Sequence, residues 1–324
     1  MTFAVPKTRP PFVLARGRHG RLCPSAYTCA LVVILPIVCL NFENENSKLG
    51  LHLERCDMSG GQAVFKVNGA IAEIVFHNPD QGFMDRAMEA DLLKAIEQIV
   101  GDPSIRVCVL SGAEPGVFIR HYDLKVLAQQ AVQMAAREMV FTTDRPVPEA
   151  PIHIAMRLME GSETIFIAAM TGTAMGGGFE LALACDLRIV QAGDYEYGLP
   201  EINLGILPGA GGTQRLPQIV GQSRALHMTL TGDTLSPDEM VAAGLASASV
   251  TNARVEALAL AQRIAGKPVR AASHIKRLVR QALSVGSESF GDERTLFCDL
   301  MVQPDANRLL TEGAEGARRI TDEP

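Results

Sequence analysis

Residues 164–217 read TIFIAAMTGTAMGGGFELALACDLRIVQAGDYEYGLPEINLGILPGAGGTQRLP, and this stretch decides the fold. Residues 165–170 have the length and β-branched content of a buried strand. They run through Thr171 and Gly172 into the consecutive glycines Gly176, Gly177 and Gly178, so the spacing predicts a strand that turns tightly into a helix. The helix predicted over 179–186 is apolar on nearly every side except at Glu180 and Asp186, which reads as buried rather than amphipathic. A buried helix start presents unpaired N–H groups and about half a positive charge, a natural seat for a developing oxyanion. Glycine there lets the backbone approach a ligand with no Cβ in the way. The plainer alternative is that the glycines only make a turn.

Glu180 bears on that choice. Burying a carboxylate without a partner is costly, so most apolar helices carry none, and a satisfied structural Glu is the competing reading. A second acid, Glu201, follows Tyr197-Gly198-Leu199-Pro200, where Pro200 holds the backbone at the end of a short strand. Two carboxylates beside one oxyanion seat suit chemistry that moves a proton at one carbon and a water at its neighbour.

The runs MGGGFELALACDLRI and YGLPEINLGILPGAGGTQRLPQIVG are similar to the crotonase (enoyl-CoA hydratase/isomerase) superfamily, and the chain most resembles an enoyl-CoA hydratase. The resemblance extends from about Ala63 to the C-terminal region. It implies an α/β, crotonase-like (ClpP/crotonase) spiral of β-β-α units with a helical C-terminal trimerisation region. The divisions that follow are an N-terminal extension over 1–61, a catalytic core over 62–235 and a helical region over 236–324. The implied substrate is an acyl-CoA, with CoA part of the substrate and neither metal nor other cofactor required. Self-association as a homotrimer or a dimer of trimers is implied as well.

The same resemblance assigns roles. The backbone amides of Gly177 and Tyr122 would hold the thioester oxygen, and Glu180 and Glu201 would carry the proton transfers of a reversible syn hydration of a 2-enoyl-CoA. The substrate-binding residues implied are Phe118, Arg120, His121, Asp123, Lys125, Gly176, Pro200 and Gly209. In the loop FIRHYDLK, residues 118–125, the family usually has Phe-x-Ala-Gly-Ala/Gly-Asp-Leu. Phe118, Asp123 and Leu124 keep that pattern, whereas Arg120, His121 and Tyr122 replace small residues. Lys125 matches a position where relatives often place a lysine near the CoA phosphate, with a solvated lysine as the alternative.

An unperturbed imidazole titrates near neutrality, which makes His121 a tempting base. A lone His in a polar loop is instead read as a surface or hydrogen-bonding residue, since the two glutamates cover the proton transfers. Arg120 and His121 are assigned to CoA or to an acyl group with an extra carboxylate. Residues 205–212, GILPGAGG, lack the Lys-Ser/Thr ending of a nucleotide loop and are read as a turn that passes beneath the active site. Two further functions stay open: double-bond isomerisation, which shuttles one proton, and a non-catalytic binding protein on the same fold.

The remaining sequence bounds these readings. With 324 residues, 47% of them hydrophobic, the chain holds one large or two modest domains, and a net charge of −6 argues against nucleic-acid binding. Seven cysteines, an odd number without metal-ligand spacing, read as reduced thiols in a cytoplasmic protein. Residues 1–61 place Lys7, Arg9, Arg16, Arg18 and Arg21 before an apolar run over 30–40. That pattern resembles a signal peptide or anchor, but the run falls short of the ~20 residues a span needs, and Pro36 interrupts it. The preferred reading is a mis-assigned start, with Met58 the true one, or a dispensable arm.

Residues 63–67 and 70–76 alternate about Asn68-Gly69, a hairpin signal. A helix over 84–100 places Met88, Leu92, Ile96 and Ile99 on one face and Asp85, Glu89, Asp91 and Glu97 on the other. It lacks the comb of lysines by which some crotonase relatives resemble RNA-binding proteins. A strand over 105–110 follows. Residues 124–161 read as irregular apart from a helix over 126–140, and in the family such a region walls the acyl pocket. Ser236-Pro237 begins a helix that Gly244 ends, and three more helices are expected over 254–264, 269–283 and 292–301.

Overall fold

The alternating residues after Gly61 form a hairpin, β1 (Gln62–Asn68) and β2 (Ile71–His77), in the computed structural model, which describes residues 60–79, 82–281 and 288–322. Residues 1–59, and with them the Met58 start, lie outside the described residues. Asn68 pairs with Ile71, so the turn is Gly69-Ala70, one residue later than expected. Helix α1 (Arg86–Gly101) follows, capped by the Asp85 side chain, which accepts from the Met88 amide. Strands β3 (Val107–Gly112) and β4 (Gly116–Ile119) then lead into helices α2 (Leu124–Ala136) and α3 (Pro151–Gly161). The expected irregular stretch thus contains a second helix, begun by Pro151 at a position where its missing N–H costs nothing.

The deciding stretch unfolds as β5 (Ile165–Met170), β6 (Gly172–Met175), α4 (Gly177–Ala184), β7 (Leu187–Gln191), β8 (Tyr197–Gly198) and a 3₁₀ turn (Glu201–Leu204). Helix α4 starts two residues before the expected 179 because the glycines themselves form its first turn. Then come α5 (Gly212–Val220), α6 (Gln222–Thr231), β9 (Thr234–Leu235), α7 (Pro237–Ala242), β10 (Ser249–Val250) and α8 (Ala253–Ala265). The last helices are α9 (Val269–Gln281), α10 (Glu288–Met301) and α11 (Pro304–Ala314). Ser236 and Glu239 close a capping box on α7, and the expected tail is indeed helical.

The strands order themselves into two sheets, β1-β2-β3-β5-β7-β10 and β4-β6-β8-β9. Each successive pair, β3–β4, β5–β6 and β7–β8, places one strand in each sheet and is followed by a helical element, which is the repeating β-β-α unit of the spiral. Pairing is parallel from β2 to β10, so β5 is flanked on both edges and every one of its residues is buried. On one face α8 lays the buried Ala253, Ala257 and Ala261 against Val107, Val109 and Ile167. On the other, α1, α3 and α4 pack Met88, Leu92, Met156 and Phe179 into the main core. A separate cluster joins α2 to the C-terminal part through Leu124, Leu127, Leu204, Met301, Leu309 and Leu310. No helix among the described residues is long and apolar enough to cross a membrane.

Candidate active site

Gly176 sets the geometry. Its φ of 50° and ψ of −131° lie where side-chain-bearing residues are strained, and from it the chain turns directly from β6 into α4. Glu180 therefore falls in the first helical turn, 2% exposed. Its Oε1 accepts two backbone hydrogen bonds, from Ala210 N–H and Gly212 N–H, each 2.8 Å long. The glycine-rich turn, expected only to route the chain, is the cradle of the first acid. A Cβ added at Gly212 would stand 2.9 Å from that oxygen, so the close approach needs glycine.

Glu201, 5% exposed, opens the 3₁₀ turn after Pro200. A Cβ added at Gly176 would lie 3.0 Å from Glu201 Oε1, so the residue that launches α4 also makes room for the second acid. Both carboxylates line one cavity of about 590 Å³, together with Gly176, Gly177, His121 and Tyr122.

The loop before α2 is strapped on both sides. Met84 N–H donates to His121 O (2.9 Å), Asp123 N–H donates to Met84 O (2.7 Å), and Met175 N–H donates to Arg120 O (2.8 Å). These bonds hold the extended backbone around Tyr122, despite the bulky side chains of Arg120, His121 and Tyr122. A Cβ added at Gly177 would stand 3.9 Å from Tyr122 Cβ, so the two residues expected to supply the oxyanion donors are neighbours. The Gly177 amide is the first of its helix, where no intrahelical acceptor exists.

His121 is not a surface residue. It is 7% exposed, its ring lies 4.5 Å from that of Phe83, and its Nδ1–H donates to Tyr122 O at 2.7 Å. Burial pushes its pKa down to about 4, so the ring is neutral at neutral pH and serves the loop through a hydrogen bond. Glu89 departs further from expectation. Placed by periodicity on the face opposite the core, it is 6% exposed and lines the cavity, because the Tyr122 side chain reaches toward α1 and hydrogen-bonds it. Burial raises its pKa to about 7, the hydrogen bond from Tyr122 opposing the rise.

Of the expected substrate-binding residues, His121, Gly176 and Gly209 line the cavity, as do the four expected catalytic residues; Phe118, Arg120, Asp123, Lys125 and Pro200 do not. Phe118 packs edge-on against Phe76, ring centres 5.6 Å apart, and is part of the core. Asp123 caps α2 by accepting from the Lys125 amide, and the Lys125 side chain is exposed. The far wall, from Leu127, Met134, Ile152, Phe297, Met301 and Ile320, brings together segments that no local pattern links. Among the described residues no group of three or more His, Cys, Asp or Glu side chains could hold a metal ion.

The family model of enoyl-CoA hydratase/isomerase matches residues 66–315. The chain belongs to this family, the crotonase superfamily. Among its relatives, the 2,3-dehydroadipyl-CoA hydratase of Escherichia coli is 35% identical over 225 residues, covering 68% of this chain and 83% of the relative. The peroxisomal bifunctional enzyme of Danio rerio is 33% identical over 204 residues, 63% of this chain; the match spans only 26% of that longer protein. The crystal structure of an enoyl-CoA hydratase/isomerase from Mycobacterium paratuberculosis superimposes with a TM-score of 0.67 at 21% identity, covering 78% of this chain and 98% of that one. The crotonase fold expected from the glycine and glutamate runs is thereby shown, as is an enzyme family built on CoA thioesters.

Proposed function

We propose that the chain is an enoyl-CoA hydratase, which adds water reversibly and syn across the double bond of a 2-enoyl-CoA. The observation that carries this reading is that Glu180 and Glu201 line the same cavity as Gly177 and Tyr122. The amides of Gly177 and Tyr122 hold the thioester oxygen as it gains enolate charge, where one such donor is typically worth about 10² to 10³ in rate. Two amide hydrogen bonds on Oε1 favour the ionised form, which supports Glu180 acting first as a carboxylate. Glu180 takes a proton from water as the water oxygen bonds to the β carbon, and Glu201 delivers a proton to the α carbon. Dehydration reverses both transfers. CoA enters and leaves as part of the substrate.

The test is loss of the enoyl-thioester absorbance when purified protein meets crotonyl-CoA, followed by a screen of short, long, branched, aromatic and dicarboxylic enoyl-CoAs. Turnover of crotonyl-CoA supports hydration. Conversion of a 3-enoyl-CoA to its 2-enoyl isomer without hydration would replace it with isomerase activity. The reading extends to self-association as a trimer or dimer of trimers in the cytoplasm. The exposed Ile275, Leu278 and Val279 on one face of α9 support self-association, and light scattering of the purified protein tests it.

A further inference from the structure

Resting on the assignment of Glu180 to water activation, a second layer of the site concerns what holds that carboxylate. The turn that supplies its amides is gripped through its carbonyls. His153, in the first turn of α3, accepts the Ala150 N–H on Nδ1 at 3.0 Å and reaches the Gly209 carbonyl with Nε2 at 2.9 Å. An acceptor at Nδ1 requires the proton to be on Nε2, so one neutral tautomer satisfies both bonds. The neighbouring carbonyl, of Ala210, accepts from Arg215 Nη1 at 2.7 Å. Arg215 is in turn held by both oxygens of Glu160, at 2.7 and 2.8 Å, and Glu160 stands at the other end of α3. One helix thus secures two successive carbonyls of the turn, while the amides of Ala210 and Gly212 point to Glu180 Oε1.

We infer that His153 is a positioning residue for Glu180: its ring fixes the Gly209 carbonyl and so keeps the amides of the 209–212 turn aimed at the carboxylate. Burial pushes the His153 pKa below its ordinary value, in keeping with the neutral ring this geometry needs.

Hydrogen exchange of the peptide covering 205–216, read by mass spectrometry on the full chain, and steady-state hydration of crotonyl-CoA test this together. In His153→Ala the turn exchanges faster and kcat falls about 10- to 100-fold, as expected for a misaligned group, while KM stays within about twofold. His153→Gln, which keeps an N–H donor near the Nε2 position, recovers most of both. Unchanged exchange at the turn, unchanged kcat, or a raised KM at constant kcat would each overturn the inference, the last because His153 would then only line the cavity. Should the alanine variant fail to fold, His153→Asn against His153→Gln supplies the same comparison. A wild-type chain that does not hydrate crotonyl-CoA sinks the hydratase reading instead, and the exchange measurement then decides by itself whether His153 braces the turn.

Discussion

The cavity has two walls made in different ways. One comes from a short stretch, residues 176–212, in which glycine conformations place two acids and the amide donors to Glu180. The other is gathered from α1, α2, α3, α10 and the residues after α11, where side chains far apart in sequence meet. In the first wall position is set by backbone torsions, which a local sequence encodes. In the second it is set by which side chains fill the space left over, a property of the whole packing. The placement of the two acids is therefore local, and the shape of the rest of the cavity is not.

The largest effect should come from the local wall. Glu180→Gln and Glu201→Gln should each lower kcat for crotonyl-CoA hydration by about 10² to 10⁴, the range of general acid–base catalysis, with binding largely intact. Wild-type turnover in either variant would break the functional contrast between the walls.

Next comes Glu89, which belongs to the assembled wall. Its pKa of about 7 in the folded chain lies above the ordinary 4.5, so between those values the folded state binds more protons than the unfolded one, and stability falls as pH rises. Glu89→Gln removes that loss. At pH 8 the variant should be more stable by up to about 3 kcal/mol, and below pH 4.5 the two chains should converge. Denaturant midpoints of both chains across that range check the sign; a variant whose advantage over the parent is no larger at pH 8 than at pH 4 would contradict it.

Gly176→Ala should cost about 1 to 3 kcal/mol, the usual range for a residue forced into sparsely populated torsions. It should also reduce kcat, because the added methyl group meets Glu201 Oε1. An alanine variant as active and stable as the parent would show that the wall does not depend on glycine. The smallest effect is expected at Lys125, whose exposed ammonium is worth less than about 1 kcal/mol to any ion pair with a CoA phosphate. Lys125→Ala should raise KM a few-fold at most and leave kcat unchanged.

The same contrast explains which features are legible in the sequence. The buried strand over 165–170, the glycine-launched helix and both glutamates were readable because each depends on neighbours within a few positions. The role of 209–212 was misread as routing because an amide donor has no side-chain signature; the only trace was a pair of glycines ahead of a helix. Glu89 was misplaced because helical periodicity assumes one apolar partner surface, and here the Tyr122 hydroxyl supplies a polar one inside it. His153 carried no local signal at all, since its partner, the Gly209 carbonyl, is 56 positions away.

Because Met301 and Ile320 complete the cavity lining, the pocket is closed by residues made well after both acids. The roughly 120 residues between Glu201 and Ile320 take a ribosome about 6 to 24 s to add. Through that interval both acids and the apolar faces of α2 and α3 are already synthesised, with no C-terminal partner to cover them. A nascent chain of this design offers chaperones a half-built hydrophobic bowl, and stalling before α11 should leave it prone to aggregate rather than merely inactive.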